Sequence, residues 1–164
     1  MKNSFIILFV VFPFVLMSLL LFSNYRLNYS NSESIGIWEI LPLTSIPKKG
    51  DHVIFCRPIS VTSLHESCKP YLIKTIVGVP GDRVSMNTQG VHINQLLLNE
   101  SHILNSRPSK YSLEKSFILS PNTFWVYGSN NPTRSYDSRY FGPIPLASIK
   151  AKAKLVYALP SLLE

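Results

Sequence analysis

The sequence predicts a mainly β protein: a small antiparallel sheet domain preceded by one N-terminal transmembrane helix. Two observations predict the sheet. Short runs rich in β-branched and aromatic residues recur along the chain, and turn signals containing glycine, proline and asparagine separate them. A third observation predicts the helix, because the first 26 residues contain one long apolar run. The chain has 164 residues, which suits one compact domain plus such an appendage.

Predicted strands follow one another from residue 51 to residue 159. A turn signal at 78–82, Gly-Val-Pro-Gly-Asp, ends one of them, and Asn87–Gly90 predicts a hairpin turn between two others. Residues 99–116 are polar and are predicted to form a loop, and no long amphipathic helix is predicted after residue 26. The predicted strands are Asp51–Phe55, Tyr71–Val77, Arg83–Met86, Val91–Ile93, Phe117–Leu119, Thr123–Tyr127 and Lys152–Leu159.

The apolar run near the N-terminus extends from Phe5 to Phe22, with no charged residue between Lys2 and Arg26. As a helix it would be roughly 27 Å long, enough to cross the hydrocarbon core of a bilayer. A cleaved signal peptide would have a shorter apolar run and a cleavage site between small residues, which the following Ser-Asn-Tyr-Arg lacks. We therefore favour an uncleaved anchor over residues 1–26 and a β domain over residues 27–164.

The charge distribution indicates a partner for the basic surface. The chain carries 16 basic and 9 acidic residues, for a net charge of +7. Such a balance suits nucleic acid or anionic lipid. No run of Lys and Arg interleaved with aromatic residues is present, so the sequence favours a lipid bilayer as partner and disfavours nucleic acid.

Cys56 and Cys68 are the only cysteines, and their spacing fits no zinc motif. The polar stretch between them, Arg57–Ser67, is typical of a loop. A disulfide that closes this loop would stabilise the fold by about 3 kcal/mol and would persist only in an oxidising compartment such as the periplasm. The alternative is a pair of reduced, buried cysteines. No metal site and no cofactor is predicted.

Three segments combine polar and reactive side chains: Asn28–Trp38, Leu72–Asp82 and Tyr127–Gly142. In the second, Lys74 interrupts an apolar strand. Burial disfavours the charged amine and lowers its pKa from about 10.4, so that a neutral lysine could take a proton from a serine. The alternatives are a sheet-edge lysine with its amine in water, a linker at the first segment and a simple turn at the third.

Together these segments resemble the sequence boxes of type I signal peptidases, the serine–lysine peptidases of family S26. The second segment is similar to the family's lysine box, which runs from a lysine to Gly-x-Pro-Gly-Asp, and Lys74 falls on the general base. The third is similar to the Ser-x-Asp-Ser-Arg-x-x-Gly box. The residues that match it are Ser135, Asp137, Ser138, Arg139 and Gly142.

Within the superfamily, the first segment most resembles the conjugative-transfer peptidases of the TraF type. On that register Ser32 is the nucleophile. Ser34 stands where that group usually has proline, which leaves Ser34 as a rival nucleophile. The residues that match the motif are Asn28, Ser30, Ser32, Gly36 and Trp38. A second departure is Ser129-Asn130-Asn131, where leader peptidases have Asp-Asn-Arg.

The resemblance implies roles for further residues. The Ser32 N–H and the Ser30 hydroxyl would form an oxyanion hole, and Ser135 would orient the Lys74 amine. Asp137 and Arg139 would brace that loop. The implied substrate is a membrane-inserted preprotein or pro-pilin, and the implied location is the inner membrane with the β domain in the periplasm. A general preprotein signal peptidase and a non-catalytic β-module of a secretion apparatus are the alternatives.

Overall fold

A computed structural model describes residues 11–15, 17–18, 23–56, 71–104, 109 and 115–160. Over these residues eleven strands form two antiparallel sheets, so the predicted mainly β class is confirmed. Three helical turns lie between the last strands, at Pro132–Arg134, Ser138–Phe141 and Leu146–Ser148. Each has only three or four residues, so the sheets form the framework of the domain.

The larger sheet has seven strands. These are β1 (Tyr25–Asn28), β2 (Gly36–Leu41), β3 (His52–Cys56), β4 (Tyr71–Gly78), β9 (Thr123–Tyr127), β10 (Ile144–Pro145) and β11 (Ile149–Ala158). Their order across the sheet is β1-β2-β11-β3-β4-β9-β10. This order places β4, which contains Lys74, next to β9, which leads into the Ser-x-Asp-Ser-Arg segment.

The smaller sheet has four strands, β5 (Arg83–Asn87), β6 (Gly90–Ile93), β7 (Leu96–Leu97) and β8 (Ser116–Ile118), in the order β7-β6-β5-β8. The hairpin predicted at Asn87–Gly90 joins β5 and β6. The turn predicted at 78–82 joins β4 to β5: Gly81 has φ +89°, and the Asp82 carboxylate accepts a hydrogen bond from the Val79 N–H. That turn connects the two sheets directly.

Two apolar clusters fill the interior. The first lies between β3, β4, β9 and β10 and includes Val53, Phe55, Ile76 and Val126. The second, around Trp125, lies against the smaller sheet. Side chains alternate between the two faces of a strand, so Lys74, two residues before Ile76, lies on the same face of β4 as Ile76 and is buried like it.

The predicted transmembrane helix lies largely outside the described residues. Its described part, residues 11–15 and 17–18, is helical, and apolar side chains such as Phe12 and Phe14 are exposed there. Within the described part of the chain, no helix combines the length and apolar character needed to cross a membrane. The anchor and its boundary at residue 26 therefore stay predictions.

The predicted disulfide also lies partly outside the described residues. Cys56 is the last residue of β3. Cys68 and the predicted loop at 57–67 lie outside the described residues. The pairing of Cys56 with Cys68 therefore stays a prediction.

Candidate active site

Lys74 lies in the middle of β4, paired across the sheet with Val53. It belongs to the face of β4 that also carries Ile76, and it is only 3% exposed. The alternative in which the Lys74 amine lies in water is therefore wrong. The Lys74 Nζ contacts two oxygens, the Ile73 carbonyl at 2.9 Å and the Ser32 hydroxyl at 2.6 Å.

Ser32 lies in a tight turn between β1 and β2, and Asn28 organises this turn. The Asn28 side-chain amide donates to the carbonyls of Ser30, Glu33 and Ser34 at 3.0–3.3 Å, and its Oδ1 accepts from the Ser30 N–H. The segment between the strands is therefore a fixed turn and not a linker.

The turn places the Ser32 hydroxyl next to the Lys74 amine. The Ser32 Oγ lies 2.6 Å from the Lys74 Nζ and 3.1 Å from the Ser30 Oγ. Ser34 is fixed in another way: its carbonyl accepts hydrogen bonds from the Asn28 amide and the Trp38 indole. The contact with Lys74 thus belongs to Ser32, which is the serine that the motif register selects.

Burial sets the protonation of the Lys74 amine. Desolvation lowers the pKa of Lys74 from its usual value of 10.5. The negative charges of Glu33 and then Asp137 oppose this shift, and the positive charge of Arg139 adds to it. The net effect is a lower pKa, which is the direction that a lysine base requires.

Glu33 is an acidic residue of the site that the sequence analysis missed. It follows Ser32 and is 1% exposed. Its Oε1 accepts from the Thr75 N–H and hydroxyl, both at 3.0 Å, and its Oε2 accepts from the Ser129 hydroxyl at 2.9 Å. The sequence alone places Glu33 in a Ser/Asn-rich stretch, where a glutamate is normally solvated, so only the fold identifies it.

Asp137 and Arg139 form a fully buried ion pair behind the site. Asp137 Oδ1 accepts from Arg139 Nε at 2.8 Å, and Oδ2 accepts from the Gly128 N–H at 3.1 Å. The Arg139 guanidinium also donates to the carbonyls of Pro132 and Ser135. The pair therefore fixes the loop after β9, which is the bracing position expected of it.

Replacing Asp137 with alanine should lower the free energy of unfolding by about 3–5 kcal/mol, because it leaves the Arg139 guanidinium buried without a counter-charge. Denaturant unfolding of the full chain in detergent measures this change. Arg134→Ala removes an exposed arginine of the same loop and should change stability by no more than about 0.5 kcal/mol. Equal midpoints for the two variants would show that the pair does not stabilise the loop.

Ser135 is fully buried and packs against Gly128. A side chain at position 128 would overlap the Ser135 Oγ and Cβ and would approach the Ser32 carbonyl to 3.0 Å. The close packing of these three residues holds the loop after β9 against the nucleophile turn. The roles implied for Ser135, and for Ser30 in an oxyanion hole, stay predictions.

A groove of about 570 Å³ lies near the Ser32–Lys74 pair: the pair does not line it, but Ser30, whose hydroxyl is 3.1 Å from that of Ser32, and Ile73, which precedes Lys74, do. Most of its surface is apolar, and the cations Arg26 and Lys150 are among the residues that line it. It is bounded by the end of β1 on one side and the start of β4 on the other. Its remaining lining residues are Leu27, Asn28, Tyr29, Ile40, Ile54, Tyr71, Leu72 and Ala151.

Known proteins resemble this chain over most of its length. The conjugal transfer protein TraF of Agrobacterium tumefaciens (strain 15955) is 29% identical over 161 residues, which cover 90% of each chain. A probable conjugal transfer protein TraF of Sinorhizobium fredii is 33% identical, over 84% of this chain and 80% of that one. A probable signal peptidase I-2 of Synechocystis is 28% identical, over 65% of this chain and 46% of that one.

A solved signal peptidase I from Enterococcus faecalis V583 aligns with a TM-score of 0.39 and 23% identity, over 65% of this chain and 96% of that one. The model of the family described as signal peptidase, peptidase S26, matches residues 1–158. The chain therefore belongs to the signal peptidase family, peptidase S26.

Proposed function

We propose that this protein is a serine endopeptidase in which neutral Lys74 takes the proton of Ser32. Ser32 then attacks the scissile carbonyl of an exported precursor. The observation that carries the proposal is the 2.6 Å separation of the Lys74 Nζ and the Ser32 Oγ in a buried setting. A base must lie within hydrogen-bonding reach of the proton that it removes, and this geometry meets that condition.

The open edge of β4 supports binding of the substrate as an added strand. On one side, residues Tyr71–Thr75 pair with β3. On the other side, β9 pairs with β4 only from Thr75 onwards, and no described strand pairs with Tyr71–Lys74. An extended peptide could therefore add its main-chain hydrogen bonds there and bring its scissile carbonyl to Ser32.

The apolar groove beside this edge suits the side chains of such a peptide. Its lining residues include Leu72 and Ile73, which precede Lys74 in the chain, and Tyr29 and Ser30, which lie shortly before Ser32. Because most of the surface of the groove is apolar, we expect the substrate to have small or apolar side chains just before the cleaved bond. Alternate residues of a bound strand would face the groove.

The names of the relatives favour a precursor from a conjugation system. Two relatives that match most of this chain are described as conjugal transfer proteins, so we propose a membrane-inserted pro-pilin as the substrate. The N-terminal anchor would hold the catalytic domain on the periplasmic face of the inner membrane. The general preprotein signal peptidase stays the alternative, because its chemistry is the same and only the range of substrates differs.

Processing of a pro-pilin by the purified full chain in detergent tests this proposal. Wild-type protein should cleave the precursor, Ser32→Ala should lose cleavage by about 10⁴-fold or more, and Ser34→Ala should retain most of it. Each change removes a single hydroxyl from the same turn, so Ser34→Ala is a matched control. Loss of activity in Ser34→Ala alone would identify Ser34 as the nucleophile. An inactive wild-type protein would favour the non-catalytic module.

A further inference from the structure

The Glu33 carboxylate has no part in the proton transfer from Ser32 to Lys74, although it is among the most deeply buried polar groups of the described chain. It follows the nucleophile directly, and a buried carboxylate is costly unless its oxygens are hydrogen-bonded. A residue of this kind next to the reacting serine requires an explanation beyond packing.

The contacts of Glu33 join three parts of the chain. Glu33 itself belongs to the nucleophile turn, Thr75 belongs to β4, and Ser129 belongs to the loop after β9. Thr75 donates twice to Oε1, and Ser129 donates through its N–H at 3.3 Å and its hydroxyl at 2.9 Å. The Thr75 and Ser129 hydroxyls are also 3.0 Å apart. The three side chains therefore form one closed network.

This network lies alongside the reacting pair. Ser32 precedes Glu33 and Lys74 precedes Thr75, so each reacting residue is the chain neighbour of a network residue. A second contact reinforces the junction, because the Asn130 N–H donates to the Ser32 carbonyl at 3.2 Å. The Glu33–Thr75 contact and the Ser32–Lys74 contact therefore join the same two backbone segments.

We propose that Glu33 is a positioning residue whose buried carboxylate ties the nucleophile turn to β4 and to the loop after β9, and thereby holds Ser32 against Lys74. The proposal rests on the peptidase function proposed above. Glu33 contacts neither the substrate groove nor the reacting atoms in the described contacts, so its effect on the reaction is exerted through its two neighbours.

The charge of Glu33 has a second consequence. The charged and titratable groups around Lys74 are Glu33 on the nucleophile turn, Asp137 and Arg139 on the loop after β9, and His52 on β3, whose Nε2 lies 3.7 Å from the Glu33 Oε2. The Glu33 anion favours the ammonium form and opposes the lowering of the Lys74 pKa by burial. Removing this charge should therefore lower the Lys74 pKa further.

Two substitutions separate the bridging role of the Glu33 side chain from the effect of its charge. Glu33→Gln keeps the shape and can still bridge, because an amide oxygen accepts from Thr75 and the Ser129 hydroxyl can accept from the amide. Glu33→Ala removes both bridge and charge. Glu39→Gln, on β2, makes the same chemical change outside the network and serves as the matched control.

The test measures kcat and KM against pH for pro-pilin cleavage by the full chain in detergent. Activity requires neutral Lys74, so it rises with pH through the Lys74 pKa. We expect Glu33→Gln to keep a kcat within a few-fold of wild type at the plateau, with its acid limb moved to lower pH. Glu33→Ala should lose about 10²-fold in kcat with little change in KM, because the serine is displaced and the groove is intact.

Two outcomes would overturn the proposal: a Glu33→Ala kcat equal to that of Glu39→Gln, or a Glu33→Gln acid limb that coincides with that of wild type. An NMR titration of lysine labelled with ¹³C at Cε, assigned with Lys74→Met, follows the Lys74 amine without any substrate. If the wild-type protein cleaves no pro-pilin, the proposed peptidase function is wrong. A Glu33→Gln titration curve at lower pH than wild type would then still support the placement of the Glu33 charge beside the Lys74 amine, and an unmoved curve would reject it.

Discussion

Replacing Lys74 with methionine is expected to reduce kcat/KM for pro-pilin cleavage by about 10⁴-fold or more, with the protein still folded. Methionine fills the same buried space on β4 but has no amine to take the Ser32 proton. In peptidases with an activated serine, loss of the base costs about as much as loss of the nucleophile, because the two act as a unit. The double variant Ser32→Ala/Lys74→Met should therefore be no slower than either single variant.

The stability of the Lys74→Met variant separates catalysis from folding. In the unfolded chain Lys74 titrates near its usual 10.5 and is protonated at neutral pH, whereas in the folded chain burial lowers its pKa. The wild type thus gains stability as pH rises from the folded pKa towards 10.5. Methionine removes this penalty, so the variant should be at least as stable as wild type at pH 7. A destabilised variant would contradict the burial penalty on the charged amine, and a variant that cleaves normally would contradict the assignment of Lys74 as the base.

The strands that the sequence predicted correctly share one property. From β3 to β6, and at β9, the chain forms short runs rich in β-branched and aromatic residues that are separated by turn signals, so local pattern and tertiary structure agree. The strands β1 and β2 were not predicted, because they flank a turn rich in Ser and Asn that is typical of a linker. Their pairing depends on cross-strand contacts such as Arg26 with Trp38, which composition does not reveal.

The residues of the candidate site also divide into those that sequence motifs predict and one that only the fold identifies. Lys74 and Ser32 were predicted because their neighbours form motifs with fixed spacing, and the pairing of Asp137 with Arg139 was predicted because they lie two positions apart in a polar loop. Glu33 was missed because its partners are 42 and 96 positions away along the chain. Such a residue becomes recognisable only when the sheet order has brought β4 and the end of β9 to the same turn.

Gly128→Ala is expected to reduce both stability and activity. The new Cβ would overlap the Ser135 Oγ, would lie 2.5 Å from the Ser135 Cβ and would lie 3.0 Å from the Ser32 carbonyl. These atoms are buried and cannot move into solvent, so we expect a loss of about 1–3 kcal/mol in the free energy of unfolding. A displacement of Ser32 of about 1 Å would also reduce kcat by about 10²-fold.

The control for this change is Gly50→Ala. Gly50 has φ +87°, and a Cβ added there would meet no atom within 4 Å, so alanine costs only backbone strain of about 1 kcal/mol, with kcat unchanged. Thermal or denaturant unfolding and pro-pilin cleavage measure both quantities. Wild-type kcat in Gly128→Ala would show that the loop after β9 does not hold the nucleophile turn.

The double variant Gly128→Ala/Ser135→Gly then tests the role implied for Ser135. Glycine at position 135 removes both atoms that the new Cβ would meet most closely, so stability should recover towards that of Ser135→Gly alone. If Ser135 only packs against Gly128, kcat should recover as well. If its hydroxyl orients the Lys74 amine, kcat should stay low in both variants that lack it, because restoring the packing does not restore a hydrogen bond to the base.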